Sequence, residues 1–420
     1  VKIATLSIGD ELISGEITDN NAAFIAERLH AAAFQLQQHL VVGDVEPDIM
    51  EAILSLVEKC EAVIVTGGLG PTVDDITARA AAKATGRRLV LNEEALAHVK
   101  EIALRRGGAV HPFNEKQALL PAKSTLIPNP TGAACGFHLT HNGRFLFFLP
   151  GVPGEMARML EESVLPFLLQ RCGHRRHVRT KVLKVFGLSE SEVSLLMKDV
   201  ALPGTGLAVS LRVDFPEIQV KLRAEGESET AVDALLDRAA LLSRERLKGH
   251  LFAEDEETID SVVAGLLRAT GLTLSLAESC TGGLLAKRLT DMPGSSAYFL
   301  EGIVTYADES KSRHLHVPAE LLAEKGAVSA EVAMAMARGS RRASGSDVAL
   351  AVTGIAGPGG GSTDKPVGTV FIALAARSGC QTKGYRFHGD RGEIREITSF
   401  MAMDWLRRHL QSLHNLPDAS

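Results

Sequence analysis

The stretch Leu272-Thr273-Leu274-Ser275-Leu276-Ala277-Glu278-Ser279-Cys280-Thr281-Gly282-Gly283-Leu284-Leu285-Ala286-Lys287-Arg288-Leu289 reads as three pieces. The apolar run at its start predicts a buried strand, and the run at its end predicts a helix. Small and hydroxyl residues lie between them, where a strand turns sharply into a helix. Such a junction exposes backbone N–H groups at a helix N-terminus, which suits an anion or an oxyanion. Ser279 stands where a nucleophile would stand. The plainer reading makes Ser279 and Thr281 helix caps, with Gly282 and Gly283 allowing close packing. Both readings stand on this stretch alone.

Working outward, the same strand–loop–helix rhythm recurs. Ala349–Thr353 predicts a buried strand feeding Gly354-Ile355-Ala356-Gly357-Pro358-Gly359-Gly360-Gly361-Ser362, with another strand from Pro366 to Leu374. Ile303–Tyr306 ends a strand, and Ala307–Lys311 turns into a helix. His388-Gly389-Asp390-Arg391 precedes a closing helix, Glu393–Leu410. Near the start, Ile3–Ile8, Gln37–Val42 and Ala62–Val65 predict strands that alternate with helices over Asn21–Ala33, Asp48–Glu58 and Ile76–Thr85. This alternation implies a doubly wound α/β sheet with ligands at the carboxyl ends of strands. Two loops follow those strands: Gly9-Asp10-Glu11 through Asp19-Asn20-Asn21, and Gly67-Gly68-Leu69-Gly70-Pro71-Thr72-Val73-Asp74-Asp75. Glycines let amides approach a phosphate, and neighbouring carboxylates suit a divalent metal bridging its oxygens. A structural turn and an N-cap at Asp19 are the plainer alternatives.

Between these parts, Arg171–His177 reads as a polar connector; His174 and His177 lack an acidic or cysteine partner for a metal. A strand over Lys181–Phe186, a helix from Ser189 with Glu192 completing a capping box, paired strands Leu207–Val213 and Ile218–Ala224, and a helix Thr230–Lys248 predict a small α+β unit. The acidic run Glu254–Glu257 reads as a solvated linker.

The whole sequence bounds the function class. Its 420 residues imply two to four domains, and 45% hydrophobic with 23% charged residues is ordinary for a globular enzyme. A net charge of −6 argues against general affinity for nucleic acid or anionic membrane. Five scattered cysteines without a C-x-x-C pair fit a reducing compartment and give no zinc pattern. No apolar run approaches membrane-span length, and no basic-then-apolar leader opens the sequence, so a cytoplasmic location is expected.

The N-terminal loops, with Asn114-Glu115-Lys116-Gln117-Ala118, Asn129-Pro130-Thr131-Gly132 and Leu149-Pro150-Gly151-Val152-Pro153-Gly154-Glu155, resemble the N-terminal domain of the CinA (competence/damage-inducible) family. That resemblance implies a MoaB/MogA-like, molybdopterin-binding-like fold over residues 1–168. Some members hydrolyse the pyrophosphate of ADP-ribose with a divalent metal (Mg, Mn or Co). By resemblance Asp75 is the leading metal residue, followed by Asp74, Asp10, Glu11 and Asp19. Gly67, Gly68, Gly70 and Lys116 would contact substrate, with Lys116 offsetting charge. Residues 175–250 resemble the family's KH-like domain. A nucleic-acid-binding KH domain needs a Gly-x-x-Gly loop; Gly204-Thr205-Gly206 is too short, so a spacer or dimerisation role is expected.

Residues 256–415 resemble the PncC-type domain of the same family, on "AESCTGG", "EGIVTYADESK", "GAVS", "VTGIAGPGGGS", "KPVGTV" and "GDR". The resemblance implies nicotinamide mononucleotide amidohydrolase activity without a cofactor, serving pyridine nucleotide recycling. Ser279 would attack and form an acyl-enzyme, with Tyr306, Lys311 and Thr353 as its catalytic partners. Lys311 would have to be neutral to take a proton. The helix N-terminus after Ser279 would stabilise the oxyanion. Thr281, Gly282, Gly283, Gly354, Gly357 and Arg391 would bind substrate. Cys280 is the rival nucleophile. A homodimer is expected, and a non-catalytic ligand-binding or adaptor protein linked to DNA uptake is the alternative class.

Overall fold

The computed structural model describes residues 1–105, 112–172, 177–201 and 204–414. His174 therefore lies outside the described residues. The chain divides into two compact units, residues 1–179 with 224–233, and residues 180–223 with 234–420. The small α+β segment thus falls mostly within the second unit, where the sequence suggests a separate middle part.

The first unit is built on β1 (Lys2–Ile8), β2 (Gln35–Val42), β3 (Ala62–Thr66), β4 (Leu89–Leu91), β5 (Leu119–Pro121), β6 (Thr125–Ile127), β7 (Gly136–His141) and β8 (Arg144–Leu149). Six of them form one sheet in the order β2-β1-β3-β8-β7-β6. The first four strands run parallel, as the alternation predicts. β7 and β6 are antiparallel to their neighbours, because Asn142 and Gly143, both at positive φ, turn β7 directly into β8. Successive side chains of a strand face opposite sides. Ala4, Leu6, Ile8, Val63 and Val65 join the helices Glu46–Lys59 and Thr77–Ala84 in one core, whereas Ile3, Ala62 and Ile64 join Asn20–Ala31 and Pro153–Met159 in another.

A four-stranded sheet, most of it in the second unit, holds β9 (His177–Val185), β10 (Leu207–Asp214), β11 (Glu217–Gly226) and β12 (Leu251–Glu254), in the order β10-β11-β9-β12. The helix Glu190–Met197 carries the expected capping box of Ser189 and Glu192. A five-stranded sheet follows, with β13 (Leu274–Glu278), β14 (Phe299–Val304), β15 (Val348–Gly354), β16 (Thr369–Ala376) and β17 (Gly379–Arg386) in the order β14-β13-β15-β16-β17. β14, β13 and β15 are parallel, and β16 and β17 are antiparallel. Large residues of this sheet, Leu274, Leu276, Leu350, Val352 and Ile372, pack under the helices Ile259–Thr270 and Arg391–His414. Alanines 277, 351, 373 and 375 face the helix Ala330–Ser344, which needs their small size to sit close. Phe186 and Phe252 close on Phe400, with ring centroids 4.6 and 5.2 Å apart. Among the described residues no helix is long and apolar enough to cross a membrane.

Candidate active sites

In the second unit the carboxyl ends of β13, β14 and β15 lie side by side, with Glu278 opposite Val304 and Ala277 opposite Ala351. The amide of Thr305 donates to the Glu278 carbonyl at 2.8 Å. Ser279 therefore leaves β13 next to the segment that carries Tyr306. On the other side, a Cβ placed on Gly354 would lie 3.1 Å from Cys280 Sγ. The Ser279 turn, Tyr306 and the Gly354–Gly361 loop thus emerge at one edge, where ligands of open α/β sheets bind.

Arg391 ties two of these parts together. Its Nη2 donates to the Tyr306 hydroxyl at 2.9 Å, and its Nη1 donates to the Gly357 carbonyl at 2.6 Å. Lys311 is 1% exposed. Its Nζ donates to the Tyr306 carbonyl at 3.2 Å and lies 3.4 Å from an Asp308 carboxylate oxygen. Thr353 is buried, and its hydroxyl donates to the carbonyl of Ala327 at 2.8 Å. That bond fixes the "GAVS" segment beside the site and occupies the Thr353 proton.

The turn itself differs from the expected oxyanion site. Glu278 is fully buried, and its carboxylate accepts from the amides of Gly283, Leu285 and Ala286 at 2.9, 3.2 and 2.8 Å. These are the donors the following helix would offer an oxyanion, and Glu278 satisfies them internally. Gly283 is correspondingly a turn residue, at φ +94°, with its amide engaged. Thr281 is buried too, and its carbonyl accepts two bonds from Arg395, the shorter 2.8 Å. Among the described residues its hydroxyl has no hydrogen-bond partner. Glu278 and Arg395 had no assigned role in the sequence; Glu278 stands inside the quoted motif, five to eight residues before its amide partners. Burial pushes the Cys280 thiol up to about 12, so it behaves as a packed apolar group.

In the first unit, both loaded loops line one cleft of about 760 Å³, together with Asp44, Gln117 and Glu155. The Gly-rich loop folds on itself through Thr72. The Thr72 amide donates to Asp75 Oδ2 at 2.8 Å and its hydroxyl donates to the same oxygen at 2.5 Å. The Thr72 hydroxyl also contacts Asp74, and Lys116 Nζ donates to the Thr72 carbonyl. The hydrogen bond from Thr72 holds Asp74 below the usual carboxylate range. Gly67 and Gly68 are at positive φ, and a Cβ on either would collide with the Ile8 carbonyl or the Thr77 hydroxyl. A Cβ on Gly70 would crowd the Asp75 carboxylate at 2.5 Å.

The other acidic residues have structural partners as well. Asp10 and Asp44 exchange backbone-to-carboxylate bonds at 3.0 Å each. Asp19 caps the helix Asn20–Ala31 by accepting from Ala22, and its second oxygen lies 3.3 Å from His39 Nε2. A Cβ on Gly9 would lie 2.7 Å from the Glu11 carboxylate. Desolvation raises Asp44, and the charges of Asp10, Glu11 and Asp74 raise it further. Sequence reading omitted Asp44, although it closes β2 beside the Asp10 loop. Oxygen donors of this kind suit Mg²⁺ or Mn²⁺. Yet among the described residues no three His, Cys, Asp or Glu side chains are grouped to hold an ion. The protein's carboxylates alone do not fit a closed metal site.

Residues 4–170 match the model of a probable molybdopterin binding domain, residues 180–253 that of the damage-inducible protein CinA KH domain, and residues 256–410 that of the CinA C-terminal domain. A CinA-like protein of Geotalea uraniireducens is 66% identical over 415 residues, covering 99% of each chain. A CinA-like protein of Geobacter metallireducens is 60% identical, covering 98% of this chain and 100% of the relative. A solved competence/damage-inducible protein from Agrobacterium tumefaciens is 43% identical, covering 36% of this chain and 95% of that one, with a TM-score of 0.35.

Proposed function

This chain belongs to the family of CinA-like proteins, and on that footing we propose that its C-terminal domain hydrolyses nicotinamide mononucleotide to nicotinic acid mononucleotide and ammonia. The observation that supports this reading is the joining of Tyr306, Arg391 and Gly357 by hydrogen bonds at the strand edge from which Ser279 emerges. An amide carbon resists direct attack by water, and a covalent route divides the barrier. Ser279 Oγ bonds to the carboxamide carbon, and its proton passes to the Lys311 amine. The carbon–nitrogen bond then breaks, and the departing nitrogen takes that proton to leave as ammonia. Water next attacks the acyl ester, frees the nicotinate carboxylate and returns the proton to Ser279. Arg391 supplies a cation for the 5′-phosphate, and the Gly354–Gly361 loop cradles it. The test is ammonia release from nicotinamide mononucleotide, compared between the unaltered protein and Ser279→Ala. Release that disappears in a folded variant is expected. Release that persists overturns Ser279 as the nucleophile.

A second activity is supported by the cleft of the first unit, where the Gly-rich loop with Asp74 and Asp75 meets Glu11 and Asp44. We infer that this cleft takes ADP-ribose. An acidic rim repels a bare pyrophosphate, so the ligand would enter with a divalent ion already on its own oxygens, needing only one or two protein carboxylates. AMP formation with added Mg²⁺, Mn²⁺ or Co²⁺ tests this, and none with any of them overturns it. Absence of both reactions would favour the adaptor reading.

A further inference from the structure

The fully buried carboxylate of Glu278 has no place in the chemistry above. A buried charge is costly unless it is fully hydrogen-bonded. Glu278 meets that requirement with backbone alone, through the amides of Gly283, Leu285 and Ala286. Its own carbonyl is held by the Thr305 amide at 2.8 Å. One residue is thereby fixed at both ends: its backbone on the sheet and its side chain on the helix start. The four residues Ser279 to Gly282 form the loop that this bridge closes. From outside the bridge, Arg395 on the closing helix grips the Thr281 carbonyl with Nη2 at 2.8 Å and Nε at 3.3 Å.

We propose that Glu278 is a positioning residue for Ser279, its carboxylate pinning the strand end to the helix start so that the intervening turn holds the serine in one attacking geometry. This rests on the reading of Ser279 as the nucleophile. Glu278 is 0% exposed and touches no space a substrate can enter, so its effect passes through the turn. A helix start that is already neutralised by this carboxylate also leaves oxyanion stabilisation to other groups.

The test compares Glu278→Gln and Glu278→Asp with the unaltered protein. Glutamine keeps the shape but loses the charge, and its NH2 group faces an amide donor. Two readouts are taken at a temperature where circular dichroism shows all three proteins folded. One is the rate at which phenylmethanesulfonyl fluoride labels Ser279, followed by intact mass and peptide mapping; it needs no natural substrate. The other is kcat and KM for ammonia release from nicotinamide mononucleotide. For Glu278→Gln, labelling and kcat are expected to fall together by roughly 10- to 100-fold, with KM within about threefold, because a misplaced nucleophile costs rate and not affinity. Glu278→Asp, which keeps the charge on a shorter stem, is expected to recover part of the rate. A folded Glu278→Gln protein that labels and turns over normally overturns the proposal, as does a variant with raised KM and unchanged kcat. An unaltered protein that is not labelled at Ser279 also overturns it, since no reactive serine is then present to position. Labelling that depends on Glu278, without ammonia release in the unaltered protein, supports the positioning role and rejects the substrate.

Discussion

Ser279 and Cys280 are adjacent, and chemistry separates them more clearly than sequence does. A thiol attacks as its thiolate, and burial holds the Cys280 thiol protonated up to about pH 12. Iodoacetamide at pH 8 is therefore expected to leave ammonia release unchanged, and Cys280→Ala to keep it within about threefold. Inactivation that maps to Cys280 would reverse the assignment. The same burial couples folding to alkaline pH. Cys135 is raised to about 11 and Cys280 to about 12, whereas both would ionise near 9.0 when unfolded. The unfolded chain therefore binds fewer protons than the folded one across that window, and stability falls as pH rises from about 9 toward 12. Thermal midpoints measured from pH 8 to 11 should decline, and Cys280→Ala should decline less steeply. At this scale the strand-to-helix turn that carries Ser279 was legible in the sequence, because small residues crowd it. Glu278 was not, because its partners are backbone amides, which no side-chain pattern reveals.

Lys311 depends for its position on the helix Asp308–Leu315, and that helix depends on a glycine elsewhere. Gly339 lies buried in the helix Ala330–Ser344, and a Cβ there would collide with the Leu315 carbonyl. Gly339→Ala should push the two helices apart and displace Lys311. The expected cost is about 1–3 kcal/mol of stability by overpacking, read by urea denaturation, with kcat falling alongside. A variant as stable and active as the original would show that this contact relaxes without consequence. At this scale much was legible: strand runs and helical periodicity gave most elements in both units, and the Ser189–Glu192 spacing gave the capping box the structure contains. Loss of that box in Ser189→Ala should cost about 1 kcal/mol. The antiparallel end of the first sheet was missed although its signal was present. His141-Asn142-Gly143-Arg144 carries the Asn-Gly pair that forms tight hairpins, and it joins β7 to β8. A parallel rhythm established by three strands obscured that local reversal.

Across the whole molecule, the residues of each candidate site belong to one compact unit. The Gly-rich loop, Asp10, Asp44 and Lys116 fall within residues 1–179, and Ser279, Tyr306, Lys311 and Arg391 fall within residues 234–420. Their demands also differ. The first site gathers carboxylates and a backbone loop, which the proposed pyrophosphate hydrolysis would use together with an added divalent ion. The second holds a hydroxyl, an amine and a guanidinium, and nothing in the proposed amide hydrolysis asks for an ion. Two chemistries on separate residues should be separable by substitution and by chelation. Asp75→Asn removes the carboxylate that organises Thr72, and is expected to abolish AMP formation while leaving ammonia release within about twofold. Ser279→Ala is expected to do the reverse. EDTA should stop only the first reaction. If Asp75→Asn or EDTA also suppresses ammonia release in a protein that remains folded, the two sites are coupled, and the second reaction needs more than the residues assigned to it.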